Sequence, residues 1–149
     1  MKQMIYVMQF RGQAAPAGDD PNRLKASTTA PSCNIRTSVS SDGVEGVIQP
    51  AAGGQAAFES EVTFTSETSF KESGTITFGG SGHRLRFSTV GEGYIGASAD
   101  ARLKHGSVIW KVEGGEGQFD GASGLITSNF TVSDQGEVVD NHFGVIFVR

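Results

Sequence analysis

The chain has 149 residues, 37% of them hydrophobic and 19% charged, a balance that predicts one packed domain over residues 1–149 and argues against a disordered tail or a membrane protein. The net charge is −4 with a pI near 5.3, and the densest basic stretch, Arg84 and Arg86 beside His83, is too small to track a phosphate backbone; nucleic acid is not an expected partner. The single cysteine, Cys33, has no internal disulfide partner, and the first residues lack the apolar run and cleavage site of a secretory signal, so the expected compartment is the cytoplasm and no membrane is expected to be bound.

Met4 to Arg11 alternate as a strand, with Tyr6, Met8 and Phe10 on one face. Residues 12–31 hold Gly, Pro, Asp, Asn and Ala with few large apolar side chains, and predict a long loop, either disordered or a lid over a pocket, with a short helical turn around Asn22 to Ala26. Short β-like pieces at Asn34 to Ser40 and Val44 to Ile48 flank the turn dipeptide Asp42-Gly43, and Pro50 to Gln55 reads as a loose connection. Phe58, Ser60, Val62 and Phe64 then alternate with Glu59, Glu61 and Thr63. Further strands are expected at Thr75 to Phe78, His83 to Val90, Ser107 to Glu113, Leu125 to Val132 and Val138 to Val148, each bounded by glycine.

Short strands at near-even spacing, without helical periodicity between them, predict an all-β fold: an antiparallel up-and-down β-barrel of about eight strands, with a two-sheet sandwich as the alternative. A barrel of that size has room to be filled by side chains or to hold one small ligand.

Trp110-Lys111-Val112-Glu113 runs into Gly114-Gly115-Glu116-Gly117-Gln118-Phe119-Asp120-Gly121-Ala122-Ser123-Gly124, a G-G-x-G-x-F-x-G-A-x-G turn, and the chain closes on the apolar strand His142 to Val148. This resembles the late strands of the allene oxide cyclase and dirigent barrels, a calycin-like group; the likeness is clearest from Trp110 onward and elsewhere is one of general rhythm. The resemblance implies a pocket inside the barrel, no cofactor, cyclisation or coupling of reactive small organic molecules, and a homotrimer or homodimer. Dirigent relatives are typically secreted, which the lack of a leader here does not match. The glycines permit turns, and Phe119 is expected to plug the barrel end.

Gly91-Glu92-Gly93-Tyr94-Ile95-Gly96 matches G-x-G-x-x-G, but no βαβ unit surrounds it, so it reads as a chance match. Asn129-Phe130-Thr131 is a glycosylation sequon only in a secreted protein, no serine sits in a nucleophile elbow, and the three histidines are too scattered for a metal site. Asp140 and His142 share a strand face, either as a general base held in one tautomer or as a solvated surface contact. Glu59 and Glu61 either form an outer charge ladder with Arg84 and Arg86, or face the interior as carboxylates of raised pKa. Trp110 and Phe87, with His83 and Leu85, form either an aromatic pocket wall or plain core.

The expected activity is that of a cofactor-independent lyase or isomerase on a small, partly apolar organic molecule. His83, Glu59, Glu61 and Tyr94 are the catalytic candidates; Trp110, Phe87, Tyr6, Asn129 and His142 are the substrate-binding ones. A lipocalin-like carrier and a dirigent-like stereocontrol protein are the alternatives.

Overall fold

The computed structural model describes the whole chain, Met1–Arg149. Nine strands follow one another: β1 (Lys2–Pro16), β2 (Arg23–Ser40), β3 (Gly43–Phe64), β4 (Ser69–Phe78), β5 (Arg84–Thr89), β6 (Gly93–Ala97), β7 (Leu103–Glu116), β8 (Ser123–Ser133) and β9 (Glu137–Val148), with one 3-10 turn at Gly117–Phe119. All pairings are antiparallel, in the order β3-β2-β1-β9-β8-β7-β5-β4, and β4 pairs back to β3. The sheet therefore closes into a barrel-like ring, not a sandwich. β6 pairs with the same two neighbours as β5, namely β4 and β7, so the two short strands share one lane of an eight-lane wall. That lane is broken at residues 90–92, opposite Lys71 and Glu72.

Closure converts period-two alternation into an inside and an outside. On β3, Phe58, Ser60 and Val62 point in, while Glu59 and Glu61 point out. Phe10, Phe58, Ile76, Leu85, Phe87, Trp110, Phe119, Ile126 and Ile146 form the centre of the core. Phe58 is its hub, with ring centroids 5.3 Å from Phe87, 5.4 Å from Trp110 and 6.1 Å from Phe10. Phe119 is buried against Phe78 at one end of the ring, and Gly117 makes the approach possible at φ +62°, with a backbone carbonyl 2.1 Å from where a Cβ would lie.

Residues 12–31 are neither lid nor disordered loop. β1 continues to Pro16, β2 begins at Arg23, and the bend between them is tied by Ala17 N–H to Arg23 O and by Asn22 N–H to the Asp20 carboxylate; the expected helical turn at Asn22 to Ala26 is strand. The segment lacks bulky side chains because the wall is crowded here: a Cβ on Gly12 would sit 2.1 Å from Ser27 O, and Ala26, Thr28 and Ala30 are buried on the inner face. Pro50 to Gln55 likewise belongs to β3, opposite a register shift between Pro31 and Cys33. Beyond that shift β2 and β3 pair only with each other, so Cys33–Ser40 and Gly43–Pro50 form a two-stranded arm outside the ring.

The ligand-sized hollow expected inside the ring is filled by aromatic side chains. None of the five principal cavities is lined by Phe10, Phe58, Phe87 or Trp110. Phe58→Ala should accordingly destabilise the fold by about 3–5 kcal/mol in urea unfolding, whereas a loss under about 1 kcal/mol would mean a loosely packed centre.

Candidate functional site

The inward face of β9 runs Val138, Asp140, His142, and Ser128 of β8 lies directly across from His142. Ser128 Oγ donates to Asp140 Oδ1 at 2.5 Å, and His142 Nε2 lies 2.9 Å from Asp140 Oδ2. His142 is fully buried, stacked on Phe10 at 4.2 Å, with Trp110 and Phe58 edge-on at 5.0 and 5.4 Å. A carboxylate only accepts, so Nε2 is the donor to Asp140; in the neutral ring the lone pair then falls on Nδ1, which has no hydrogen-bond partner. The buried Asp140–His142 pair is thus the held-imidazole arrangement, not a solvated surface contact.

Glu72 enters the same interior from β4, on the face shared with Phe70 and Ile76. Burial pushes its carboxyl up to about 8; the hydrogen bond from Ser60 Oγ (2.6 Å) opposes that rise, and the charge of Asp140 adds to it. Trp110 Nε1 is near enough to favour the ionised form slightly, yet it reaches hydrogen-bonding geometry with no acceptor. The backbone of Glu72 lies at the break in the β5–β6 lane, where Thr89 Oγ1 accepts from Glu72 N and donates to Glu72 O in place of ladder bonds. A cavity of about 370 Å³, lined by Glu61, Thr63, Lys71, Glu72, Ser73, Ser88, Thr89 and Gly91, opens at that break.

Tyr6, from β1, completes the cluster. Burial first, and Asp140 second, push its ionisation above the ordinary phenol range, so it remains a neutral donor. Its hydroxyl, Thr28 Oγ1, Trp110 Nε1 and His142 Nδ1 are four buried polar atoms without a partner. Buried polar groups are normally satisfied, so these unpartnered atoms and the raised carboxyl make this interior the candidate site. Chemically, the interior offers an imidazole lone pair as base, a largely protonated carboxyl as acid and a phenol as hydrogen-bond donor.

The structure brings together only part of the sequence-derived set. Phe87, Trp110 and His142 meet inside the ring, and Tyr6 reaches the same interior from the Phe78 end, within range of the Asp140 charge. His83, expected on the wall with Leu85, sits exposed at the rim before β5, where its Nδ1 accepts from Gln118 N–H. Glu59 and Glu61 are outside: Glu59 accepts from Ser27 Oγ, and Glu61 pairs with Arg23 at 3.1 Å. Their expected ladder partners are engaged elsewhere, Arg84 with Glu116 and Arg86 with the Glu113 carbonyl, because the register sets Ser27 and Lys25, not Arg84 and Arg86, beside the glutamates. Tyr94 and Asn129 lie on the outer face and line, with His105, Ser107 and Asn141, an open depression of about 520 Å³. Gly91 to Gly96 forms a turn and a short strand with no helix.

Sequence reasoning missed Glu72, Ser60, Ser128 and Thr28. Glu72 had a signal: it keeps step with Phe70, Ile76 and Phe78, but the strand was expected to start only at Thr75. No group of three or more His, Cys, Asp or Glu side chains is placed to hold a metal ion, and no helix is long and apolar enough to cross a membrane. No family model, curated protein or solved structure matches the chain.

Glu72 gives a pH signature. Its folded-state pKa lies above the unfolded value of about 4.5, so the native state holds the extra proton between there and about 8, and stability falls as pH rises through that window, by up to several kcal/mol. Urea unfolding from pH 5 to 9 should show this decline in the wild type and a much flatter profile in Glu72→Gln; identical profiles would mean that Glu72 ionises normally.

Proposed function

We propose that this protein is a cofactor-independent lyase or isomerase for a small, partly apolar organic molecule, with its acid–base pair inside the ring. The observation that carries this reading is the meeting of a carboxylate-held imidazole, whose Nδ1 is free, with a carboxyl whose pKa is pushed up to about 8, in one aromatic interior. His142 Nδ1 takes a proton from a carbon next to a carbonyl, and Glu72 gives its proton to the carbonyl oxygen. In an isomerisation His142 then returns the proton to a different carbon and Glu72 recovers its own, so the protein ends unchanged. Asp140 and Ser128 position the imidazole and stabilise it while charged; Tyr6 orients an oxygen.

Because the interior is filled, a substrate must displace ring faces of Phe10 and Phe58, and the unpartnered Tyr6, Thr28, Trp110 and His142 atoms are what it would satisfy in exchange. Entry at the break beside Glu72 is the shortest reading of the 370 Å³ cavity there. The likeness of the Gly114 to Gly124 turn to allene oxide cyclase and dirigent barrels supports the same class of substrate. Cys33, without a disulfide partner, suits the reducing cytoplasm.

A non-catalytic binding protein is the second reading, favoured by one observation: the roomiest of the five principal cavities, with Tyr94, His105 and Asn129, is on the outer face and away from the acid–base pair. Both readings meet in one experiment. Small enolisable ketones, cyclohexanone and 2-cyclopentenone, are incubated in D2O and their α-proton exchange is followed by NMR. Exchange above the buffer rate, lowered about 10²–10⁴-fold in His142→Ala and in Glu72→Gln, is the expected outcome. Exchange at the buffer rate with shifts confined to Tyr94 and Asn129 favours the binding protein, and exchange that survives both substitutions removes the interior pair from the chemistry.

A further inference from the structure

Outside the ring, one register row is polar from end to end. Tyr94, Ser107, Asn129, Asn141 and Gln9 are successive cross-strand partners from β6 through β7, β8 and β9 to β1, whereas the row beside it, with Ile109, Phe143 and Val7, is mostly apolar. The amides of this row are tied in series. Arg11 Nη2 donates to Gln9 Oε1 at 3.1 Å, Gln9 Nε2 to Asn141 Oδ1 at 2.9 Å, and Asn141 Nδ2 to Asn129 O at 3.4 Å. These groups would otherwise bond to water, so the relay adds little to stability. What it fixes is the direction in which Asn141 presents its remaining N–H and lone pair.

The 520 Å³ depression lies over this row, and Tyr94, His105, Ser107, Asn129, Thr131 and Asn141 supply its side-chain polar groups. Its aromatic side is built. Tyr94 lies over Gly96, where a Cβ would collide with the hydroxyl end of the ring, and the His105 ring stands 6.3 Å away, inclined by 59°. Half of Tyr94 is left exposed. No carboxylate, ammonium or guanidinium lines the depression. Apart from the imidazole, its polar side chains are hydroxyls and carboxamides, each able both to donate and to accept.

We infer that this depression is a binding site for a short neutral saccharide. Three features select that ligand. First, a saccharide combines C–H faces, which pack on an aromatic ring, with hydroxyls that both donate and accept; the depression sets an aromatic plate beside a floor of groups with the same dual role. Second, the uncharged lining gives a phosphate, a carboxylate or an ammonium group no counter-charge, which sets aside nucleotides and acidic sugars. Third, the depression is open to solvent. An apolar ligand would keep much of its surface in water and gain little there, whereas the outward hydroxyls of a sugar stay hydrated without penalty. The inference rests on the outer cavity alone and does not depend on the acid–base pair inside the ring.

The 15N-labelled full chain is titrated with cellobiose, lactose, maltose and N,N′-diacetylchitobiose, each to about 20 mM, enough to load a site with a Kd of about 1 mM. At least one of them should shift the amides of Tyr94, Ser107, Asn129 and Asn141 saturably and leave the Trp110 indole signal in place. Tyr94→Ala should weaken that binding about tenfold, and Tyr94→Phe less than about threefold because the ring remains. Asn141→Ala should weaken it about fivefold. All three side-chain changes lie on the outer face, so the circular dichroism spectrum should stay that of the wild type. Failure of all four sugars to shift these amides overturns the inference, as does binding that both alanine variants leave unchanged. Equal shifts of the same amides by cyclohexanone also overturn it, since the depression would then hold the ketone and not select a sugar. Proton exchange inside the ring, present or absent, has no bearing on these readouts, so the two proposals can fail separately.

Discussion

Ring closure is the constraint on which every other feature rests. Once β4 pairs back to β3, the parity of a residue decides whether it meets water or the aromatic interior, with no intermediate choice. Glu72, Asp140 and His142 are inside because they keep step with Phe70, Ile76, Val138 and Ile146, and Glu59 and Glu61 are outside because they keep step with Thr63. Burial without a charge partner is why Glu72 carries a raised pKa, while the more numerous outer carboxylates include ordinary surface pairs with Arg23 and Arg84.

Much of this was legible in the sequence where alternation involved large side chains. Phe58 to Phe64, Ser107 to Glu113 and Val138 to Val148 announce their strands, and the glycine turn before Phe119 behaves as its composition suggests. Legibility failed where the wall needs small residues. From Gly12 to Ala30 the backbone of one strand presses on the next, so the chain uses Gly, Ala, Ser and Thr, and a real strand reads as a loop. The arm was foreshadowed by Asp42-Gly43, but nothing in the sequence says that β1 would part from β2 after Thr29.

The site was legible unevenly for a related reason. His142 and Asp140 share parity with clear apolar neighbours, so their common face could be read, but burial depends on which strand lies across, and Ser128 is found only through the β8–β9 register. His83 was attractive because it precedes Leu85 and Phe87 in step; its carbonyl makes the last rung to Phe78 N–H, but at the rim its ring turns to the Gln118 N–H and stays exposed. Spacing along the chain carries no information about where a ladder ends.

The break between β5 and β6 has a mechanical meaning. In an unbroken barrel each rung braces the next, and parting two staves requires that a whole ladder give way at once. Here one stave is in two pieces, joined through Val90, Gly91 and Glu92, and a threonine hydroxyl stands in for the absent rungs beside Glu72. The break is one-sided, since Val90 N–H still donates to Ile109 O on β7, so the two pieces stay fastened along that neighbour and only the β4 side relies on the threonine beside the interior acid.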